Sequence, residues 1–453
     1  MDTKQLKKLL NPYKMSETTL DGFIRLYEKS QAGPARMSWK SVKSPDDSRL
    51  VHYDSLKAPE RDHLEAALAR FAVCKLNGGL GTTMGCRGAK SAIVVREKKT
   101  FLDLTIDQVG ELNKKYQVDI PLLLMNSFRT HDETERLIGK YLGNPEILTF
   151  FQNQFPRLLE GGGGLLDLDK FGSDVWYPPG HGDLYSCLAD QGYLERLLAD
   201  GREILFVSNV DNLGAVADLR ILDYMLREDI PFLMEVTQKT AADTKGGTLY
   251  QEKGRIKLLE VANVPPEHIA EFCGQQKFKI FNTNNIWINL VHLKELLKEG
   301  PLDLDVIVNR KMVKGQSVLQ LETAVGTAFN CFPKAVGLIV PRDRFFPVKR
   351  TCDLLCLWSD LFYLERSSLK RNPERINLDL PRITLNEPFD DLQEFQKRIP
   401  VAPSIVGLDS LEIGGEVRFN GAVTLKGNVR LIANKKNLRI PKGTVLENKD
   451  IEQ

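Results

Sequence analysis

No two cysteines in this chain of 453 residues stand in a C-x-x-C spacing; the seven lie apart at 74, 86, 187, 273, 331, 352 and 356. An odd, scattered set argues against both a disulfide framework and a zinc site, so these read as reduced thiols. Cys352 and Cys356, one helical turn apart, read as ordinary half-buried thiols, with a link between them as the alternative. No segment approaches the ~18 consecutive apolar residues of a membrane span, and the N-terminal MDTKQLKKLLNPYK lacks an apolar core of signal-peptide length. A cytoplasmic protein with no membrane partner is expected. An excess of charge of one sign is missing too: Lys plus Arg (62) nearly balance Asp plus Glu (60), so the chain as a whole advertises no nucleic-acid partner. At roughly 150 residues per domain, the length suggests two or three domains around a large core.

Two familiar phosphate fingerprints are also absent from the stretch where they would be sought, Phe71 to Ser91, FAVCKLNGGLGTTMGCRGAKS. A dinucleotide G-x-G-x-x-G fails because Met84 stands where the third glycine belongs, and a P-loop fails because Ala89, not glycine, precedes Lys90. What is present is an apolar run suited to a buried strand, then Gly78, Gly79, Gly81, Gly85 and Gly88 within eleven residues, then Lys90. Glycines remove side chains wherever a phosphate must touch peptide N–H groups. A plain turn is the alternative, and a lysine placed after the glycines counts against it.

Around this stretch the pattern is regular. Up to about Arg70 the chain looks helical and peripheral, with Ser16 capping a helix through Lys29 and Pro59-Glu60 opening another. From Phe71 to about Val348, strand-like runs (121–127, 203–212, 231–237, 334–341) alternate with helical patterns (Asp132 to Lys140, Leu194 to Ala199, Leu290 to Leu297). That alternation marks an α/β domain with a largely parallel sheet, whose ligands bind beyond the carboxyl ends of the strands. The tail changes period: Ile405, Leu411, Val417, Val423 and Val429 are six apart, as are Ile413, Phe419, Leu425 and Leu431, with Gly415, Gly421 and Gly427 in frame. A hexapeptide period predicts a small parallel β-helix of ~18 residues per coil, a β-meander being the alternative. The frame slips after Ala433 and partly resumes at Leu438 and Ile440. The expected divisions are 1–65 helical, 66–398 catalytic and 399–453 β-helix.

KLNGGLGTTMGCRGAK resembles the nucleotide-binding loop of the eukaryotic-type UDP-glucose pyrophosphorylases, and the likeness extends from about Ala66 to the C-terminus through LLMNS, FQNQFPR, WYPPGHGD, SNVDN, KGGTL, LLEVANVP, FNTNN, LETAVG and FFPVK. The resemblance implies a mostly parallel, Rossmann-like (GT-A-like) nucleotidyltransferase core with a left-handed C-terminal β-helix. It further implies transfer of UMP from MgUTP to α-D-glucose 1-phosphate, giving UDP-glucose and pyrophosphate. Carried over motif by motif, it makes Lys90 and Lys349 catalytic. Leu76, Asn77, Gly78, Gly79, Gly81, Thr82, Met125, Gln152, Gly182 and Asp211 would hold the nucleotide, with Asp211 also the Mg²⁺ ligand. His181, Asn209, Gly247, Glu260, Asn282, Asn284 and Glu322 would meet the glucose, with Asn285 a further candidate, and Lys245 would lie near the phosphates. Family members that form large oligomers do so through the C-terminal region, so a monomer and a homo-oligomer both stay open.

The residue types suit that chemistry. A sugar phosphate has a second pKa of ~6 and is already an anion near neutral pH, so no general base is required. The site must instead bring two repelling anions together and neutralise charge moving onto pyrophosphate, for which lysines and a magnesium ion suffice. A neutral amide such as Gln152 donates and accepts at once, as an imide edge demands. Taken singly, Lys349 reads as a surface lysine, Asp211 as a turn former, Met125 as core, His181 as structural and FNTNN as a turn; together they point to one site. Two alternatives remain, a pyrophosphorylase for other sugar 1-phosphates and a sensor that binds the sugar nucleotide without turnover.

Overall fold

The computed structural model describes residues 2–33, 38–141, 143–161, 164–240, 243, 246–377 and 379–453. Its central sheet is made of β1 (Val51–His52), β2 (Phe71–Asn77), β3 (Leu122–Asn126), β4 (Ile147–Phe151), β5 (Ile204–Asn209), β6 (Phe232–Gln238), β7 (Ile280–Asn289) and β8 (Val336–Ile339). Across the sheet they run β1-β8-β6-β7-β5-β2-β3-β4. All neighbours are parallel except at β7, which opposes both β6 and β5. The four expected apolar runs all lie in this sheet.

Burial on both faces explains why those runs are continuously apolar. With a side-chain period of two, Ala72, Cys74 and Leu76 of β2 enter one core with Leu205, Val207 and Ile286, while Phe71 and Val73 enter the opposite core with Phe206 and Trp287. The expected helices are present at His131–Ile138, Tyr193–Ala199 and Leu290–Lys298. β7 escaped the sequence reading because its first half, Phe281 to Asn285, is rich in asparagine and reads as a turn.

In the N-terminal segment the Ser16 hydroxyl accepts the Thr19 N–H at 3.3 Å and starts the helix Glu17–Ala32, whose buried Phe23, Ile24, Leu26 and Tyr27 join Phe155, Tyr177 and Leu321. At the other end β9 (Arg382–Leu385), β10 (Leu408–Phe419), β11 (Thr424–Ile440), β12 (Val445–Glu447) and β13 (Asp450–Glu452) pair in parallel. Leu411 faces Val429 and Ile413 faces Leu431, one predicted coil apart, and after a shift beyond Gly415 the pairing resumes with Val417 on Leu438 and Phe419 on Ile440. The nine apolar positions of the hexapeptide frame are all buried, at 3% exposure or less. One apolar cluster joins these strands to Met84 of the glycine loop and to Phe346 and Val348 before Lys349. All seven cysteines are free thiols, Cys352 and Cys356 being buried. Among the described residues no helix is long and apolar enough to cross a membrane.

Candidate active site

The carboxyl edge of the sheet collects many of the predicted residues. β2 ends at Asn77 and opens the glycine loop; beside it β5 ends at Asn209 and leads into Asp211. Here the Lys90 ammonium donates to Asp211 Oδ2, although 121 residues separate them. The loop folds back on itself, with Lys90 N–H on Gly79 O at 3.1 Å and Cys86 N–H on Gly81 O at 3.0 Å. A side chain at Gly79 would meet nothing within 4 Å, whereas one at Gly81 would strike Cys86 at 2.8 Å. Gly79 therefore leaves open space for a ligand, while Gly81 is a packing requirement. Thr82 is exposed on the same loop.

Lys349 arrives from a distant part of the sequence. Asn212 splints its segment to the Asp211 loop: Asn212 Oδ1 accepts the Phe346 N–H at 2.9 Å, its Nδ2 donates to Arg344 O at 3.1 Å, and Asn212 pairs with Pro347 in a β-bridge. The Thr83 hydroxyl then donates to Lys349 O at 2.6 Å, so the two lysine-bearing loops are bonded directly. Lys349 itself is exposed.

Two further groups of candidates flank this edge. Gln152, 8% exposed just beyond the end of β4, lies against the glycine loop, where a methyl on Gly78 would sit 2.8 Å from its Nε2. Leu76 is 7% exposed, and Asn209 stands level with it in the parallel register. His181 Nδ1 accepts the Val325 N–H at 2.9 Å, which fixes the neutral tautomer with the proton on Nε2. Burial holds His181 down at about 4, so it is neutral at physiological pH. Gly182 must be glycine, since a Cβ would fall 2.5 Å from Thr323 Oγ1.

The sugar-side candidates gather around β7. Because β7 runs against its neighbours, its beginning lies at their carboxyl edge, with Asn282 opposite Val236. A bulge follows, and Asn284 takes a left-handed φ of 57°, its N–H bonded to Asn282 Oδ1 at 2.9 Å. The bulge keeps Asn282 and Asn284 together and turns Asn285 the other way. Glu260 pairs across a hairpin with Gly247, whose missing side chain leaves the carboxylate its place, a Cβ there falling 2.7 Å from Oε1. Burial pushes the Glu260 carboxyl up to about 7; the Asn282 amide opposes this, Asp305 adds to it, and the nearby Lys349 charge opposes it. Burial also raises Glu322, which Asn309, Lys311 and Arg157 pull back.

Three expected contacts are not presented to the cleft. Met125 is 0% exposed and packs in the core with Leu76, Leu123 and Phe150, because the β3 position that it occupies faces inward. Asn77, 1% exposed, is a strut: its Nδ2 donates to Asn126 Oδ1 at 2.7 Å and Thr134 Oγ1 at 2.9 Å. Asn285 is fully buried and donates to Glu235 Oε2 at 3.0 Å and Arg344 O at 3.1 Å. Lys245 lies outside the described residues.

Sequence reasoning also missed the buried support beneath the edge. Glu235, fully buried, receives Arg344 through two contacts of 2.7 and 2.5 Å and the Trp287 indole N–H at 2.9 Å. Lys75, also buried, is bonded to Ser208 and Ala215. The available signal was a charge inside an otherwise apolar strand, as in FAVCKLN and FLMEVT. A cavity of about 510 Å³ is lined by Gly182 with Arg25, Leu26, Tyr185, Leu302 and Thr323; neither Lys90 nor Lys349 lines it.

The donor set fits a hard cation held mainly by its ligand. Among the described residues no group of three or more His, Cys, Asp or Glu side chains forms a metal cage. Asp211 offers one carboxylate at the phosphate edge, with one oxygen on Lys90, and Mg²⁺ commonly takes only one or two carboxylates plus substrate phosphates.

The mostly parallel sheet with this glycine loop at its carboxyl edge is that of an enzyme of the α/β nucleotidyltransferase class. The family model described as UTP--glucose-1-phosphate uridylyltransferase matches residues 20–426. A protein of that name from Hordeum vulgare is 48% identical over 443 residues, 96% of this chain and 94% of its own. Among solved structures, UDP-glucose phosphorylase from Trypanosoma brucei is 35% identical with a TM-score of 0.88, covering 99% of this chain and 98% of that one. A point mutant of UDP-glucose pyrophosphorylase from Leishmania major, in complex with UDP-glucose, is 32% identical with a TM-score of 0.90 and covers 99% of both chains. The chain belongs to the UTP--glucose-1-phosphate uridylyltransferase family.

Proposed function

We propose that this protein catalyses the reversible transfer of UMP from MgUTP to α-D-glucose 1-phosphate, giving UDP-glucose and pyrophosphate. The observation that carries the reading is the meeting of two distant lysine loops beside one strand-end carboxylate, through Lys90–Asp211 and Thr83–Lys349. The glycine loop and Gln152 take the uracil and phosphates, and Glu260, Asn282 and Asn284 take sugar hydroxyls, assisted by the neutral His181 as a donor.

The sugar phosphate attacks the α-phosphorus in line. Lys90 steadies the departing pyrophosphate, and Lys349, whose charge reaches Glu260, holds the incoming sugar phosphate. Lys90, partly buried and held on Asp211, needs little reorganisation as charge moves, which is where its rate advantage arises. Magnesium held between Asp211 and the nucleotide would supply further positive charge there. One phosphoanhydride replaces another, so the reaction runs both ways.

We further infer that residues 399–453 form a parallel β-helix, a reading supported by the parallel pairing of β11 with β10, β12 and β13, and left-handed as the family resemblance implies. The divisions at about 65 and 398 and a cytoplasmic location, as a monomer or a homo-oligomer through the C-terminal region, belong to the same reading. The test is pyrophosphate release from UTP with Mg²⁺ and a panel of sugar 1-phosphates. Release led by glucose 1-phosphate is expected; UTP binding without release would favour a sensor, and faster release with another sugar would reassign the substrate.

A further inference from the structure

A lysine sits on the face of β2 that enters an apolar core. Along β2, Phe71 and Val73 enter the apolar core with Phe206 and Trp287, and the next residue on that face is Lys75, only 2% exposed. An ammonium out of water is unfavourable unless its donors are satisfied. Lys75 Nζ donates to Ser208 Oγ at 2.7 Å and to Ala215 O at 2.9 Å, and lies 5.6 Å from the centre of the Phe206 ring. Neither oxygen belongs to a carboxylate, so this is not a buried ion pair of the common kind.

The positions of the two acceptors give the contact its meaning. Ser208 is the last residue but one of β5, level with Lys75 in the parallel register. Ala215 is where the following loop rejoins the core, fully buried. Between them lie Asn209, Asp211 and Asn212, which carry the strand-end carboxylate and the splint to the Lys349 segment. One ammonium thus closes the neck of the loop at both ends. On its far side the loop abuts the 343–346 segment, where a Cβ on Gly214 would fall 2.6 Å from Asp343 O.

We propose that Lys75 is a positioning residue for the transfer reaction: by bonding Ser208 and Ala215 it clasps the 209–214 loop and sets the place of Asp211, and through it of Lys90. This rests on the uridylyltransferase reading for its rate consequence, but the clasp itself does not. A role confined to fold stability would show as a general loss of stability, since an apolar side chain removes a desolvated charge but leaves the buried Ser208 hydroxyl and Ala215 carbonyl without their donor.

The experiment uses the full-length protein, wild type against Lys75→Met, with Ser208→Ala as a milder variant that removes one end of the clasp. Turnover at saturating UTP, glucose 1-phosphate and Mg²⁺ should fall about tenfold or more in Lys75→Met with both apparent KM values within about threefold. Hydrogen exchange should quicken in peptides covering 209–215 and stay unchanged in the helix Phe101–Tyr116, with the melting temperature held within a few degrees. Ser208→Ala should give the same pattern at smaller size, and decides the matter if Lys75→Met fails to fold. Unchanged turnover and exchange would overturn the proposal, as would exchange that quickens throughout with a matching fall in melting temperature. A wild type that releases no pyrophosphate would sink the transfer reading alone, because local exchange would still report on the clasp.

Discussion

Replacing Gly78 by alanine tests how the base is held. The new methyl would sit 2.8 Å from Gln152 Nε2 and 3.1 Å from its Cδ. Non-bonded heavy atoms rest about 3.5 Å or more apart, so the amide must retreat by roughly 0.7 Å. That displacement spoils the two hydrogen bonds that a glutamine amide can make to an imide edge. At ~0.5–1.5 kcal/mol each, the loss is about 1–3 kcal/mol, or roughly 5- to 150-fold in the apparent KM for UTP. The same bonds exist in ground and transition states, so kcat should change by less than about threefold. Gln152→Ala removes the bonds directly and should raise KM by a similar factor. The double variant Gly78→Ala/Gln152→Ala should then be no worse than either single one, since both act on one contact. The assay is pyrophosphate release at saturating glucose 1-phosphate with UTP varied. Factors that multiply in the double variant, or a collapse of kcat with KM unchanged, would refute the placement of the uracil between these residues.

Lys90→Ala and Lys349→Ala should each lower kcat by about two to three orders of magnitude, the scale of losing one fixed donor to developing charge, with smaller changes in KM. Equal effects on both parameters would undo the division of labour with Gln152. The His181 ring is held down at about 4 against an ordinary 6.5, so between these values the unfolded chain binds the extra proton. Its share of stability is present above about 6.5 and is lost as pH falls through about 4; His181→Gln should flatten that part of a denaturation-midpoint series. Glu260 works with the opposite sign: raised to about 7 from 4.5, it favours the folded state at low pH and loses that contribution as pH rises through about 7. Glu260→Gln should remove this fall, and a midpoint that still drops from pH 5 to 8 would assign it to another group.

How far the site could be read from the sequence depended on where each residue's partner lay. The glycine loop, Lys90 and Asp211 were legible as candidates because strand, turn and charge follow one another locally, and the structure pairs the two side chains. The hexapeptide tail was legible because a repeat states its own neighbours, and even its slip after Ala433 reappears as the register shift beyond Gly415. Met125 and Asn77 end up buried for one reason: a motif marks which residues belong together, not which face of a buried strand each takes. β7 was hidden because its antiparallel course is decided by what lies beside it, and the bulge that separates Asn284 from Asn285 has no local signature. Lys75 and Glu235 were visible as anomalies in apolar strands, but Lys75 finds Ser208 across 133 residues and Glu235 finds Arg344 across 109.

The apolar cluster that unites Met84, Val348 and the C-terminal strands bears on how the molecule is made. Chains are synthesised from the N-terminus, and domains tend to fold as they emerge. Here many members of the apolar cluster shared with both lysine loops, among them Phe395, Ile405 and Leu411, are translated after those loops. A nascent chain that has reached only Asp390 can pair β2 with β5 and bury Lys75, yet the cluster that holds its Met84 and Val348 still lacks its C-terminal members. The apolar cluster beneath the two lysine loops is thus completed late, and the growing chain must shield its unfinished part until the C-terminal strands arrive.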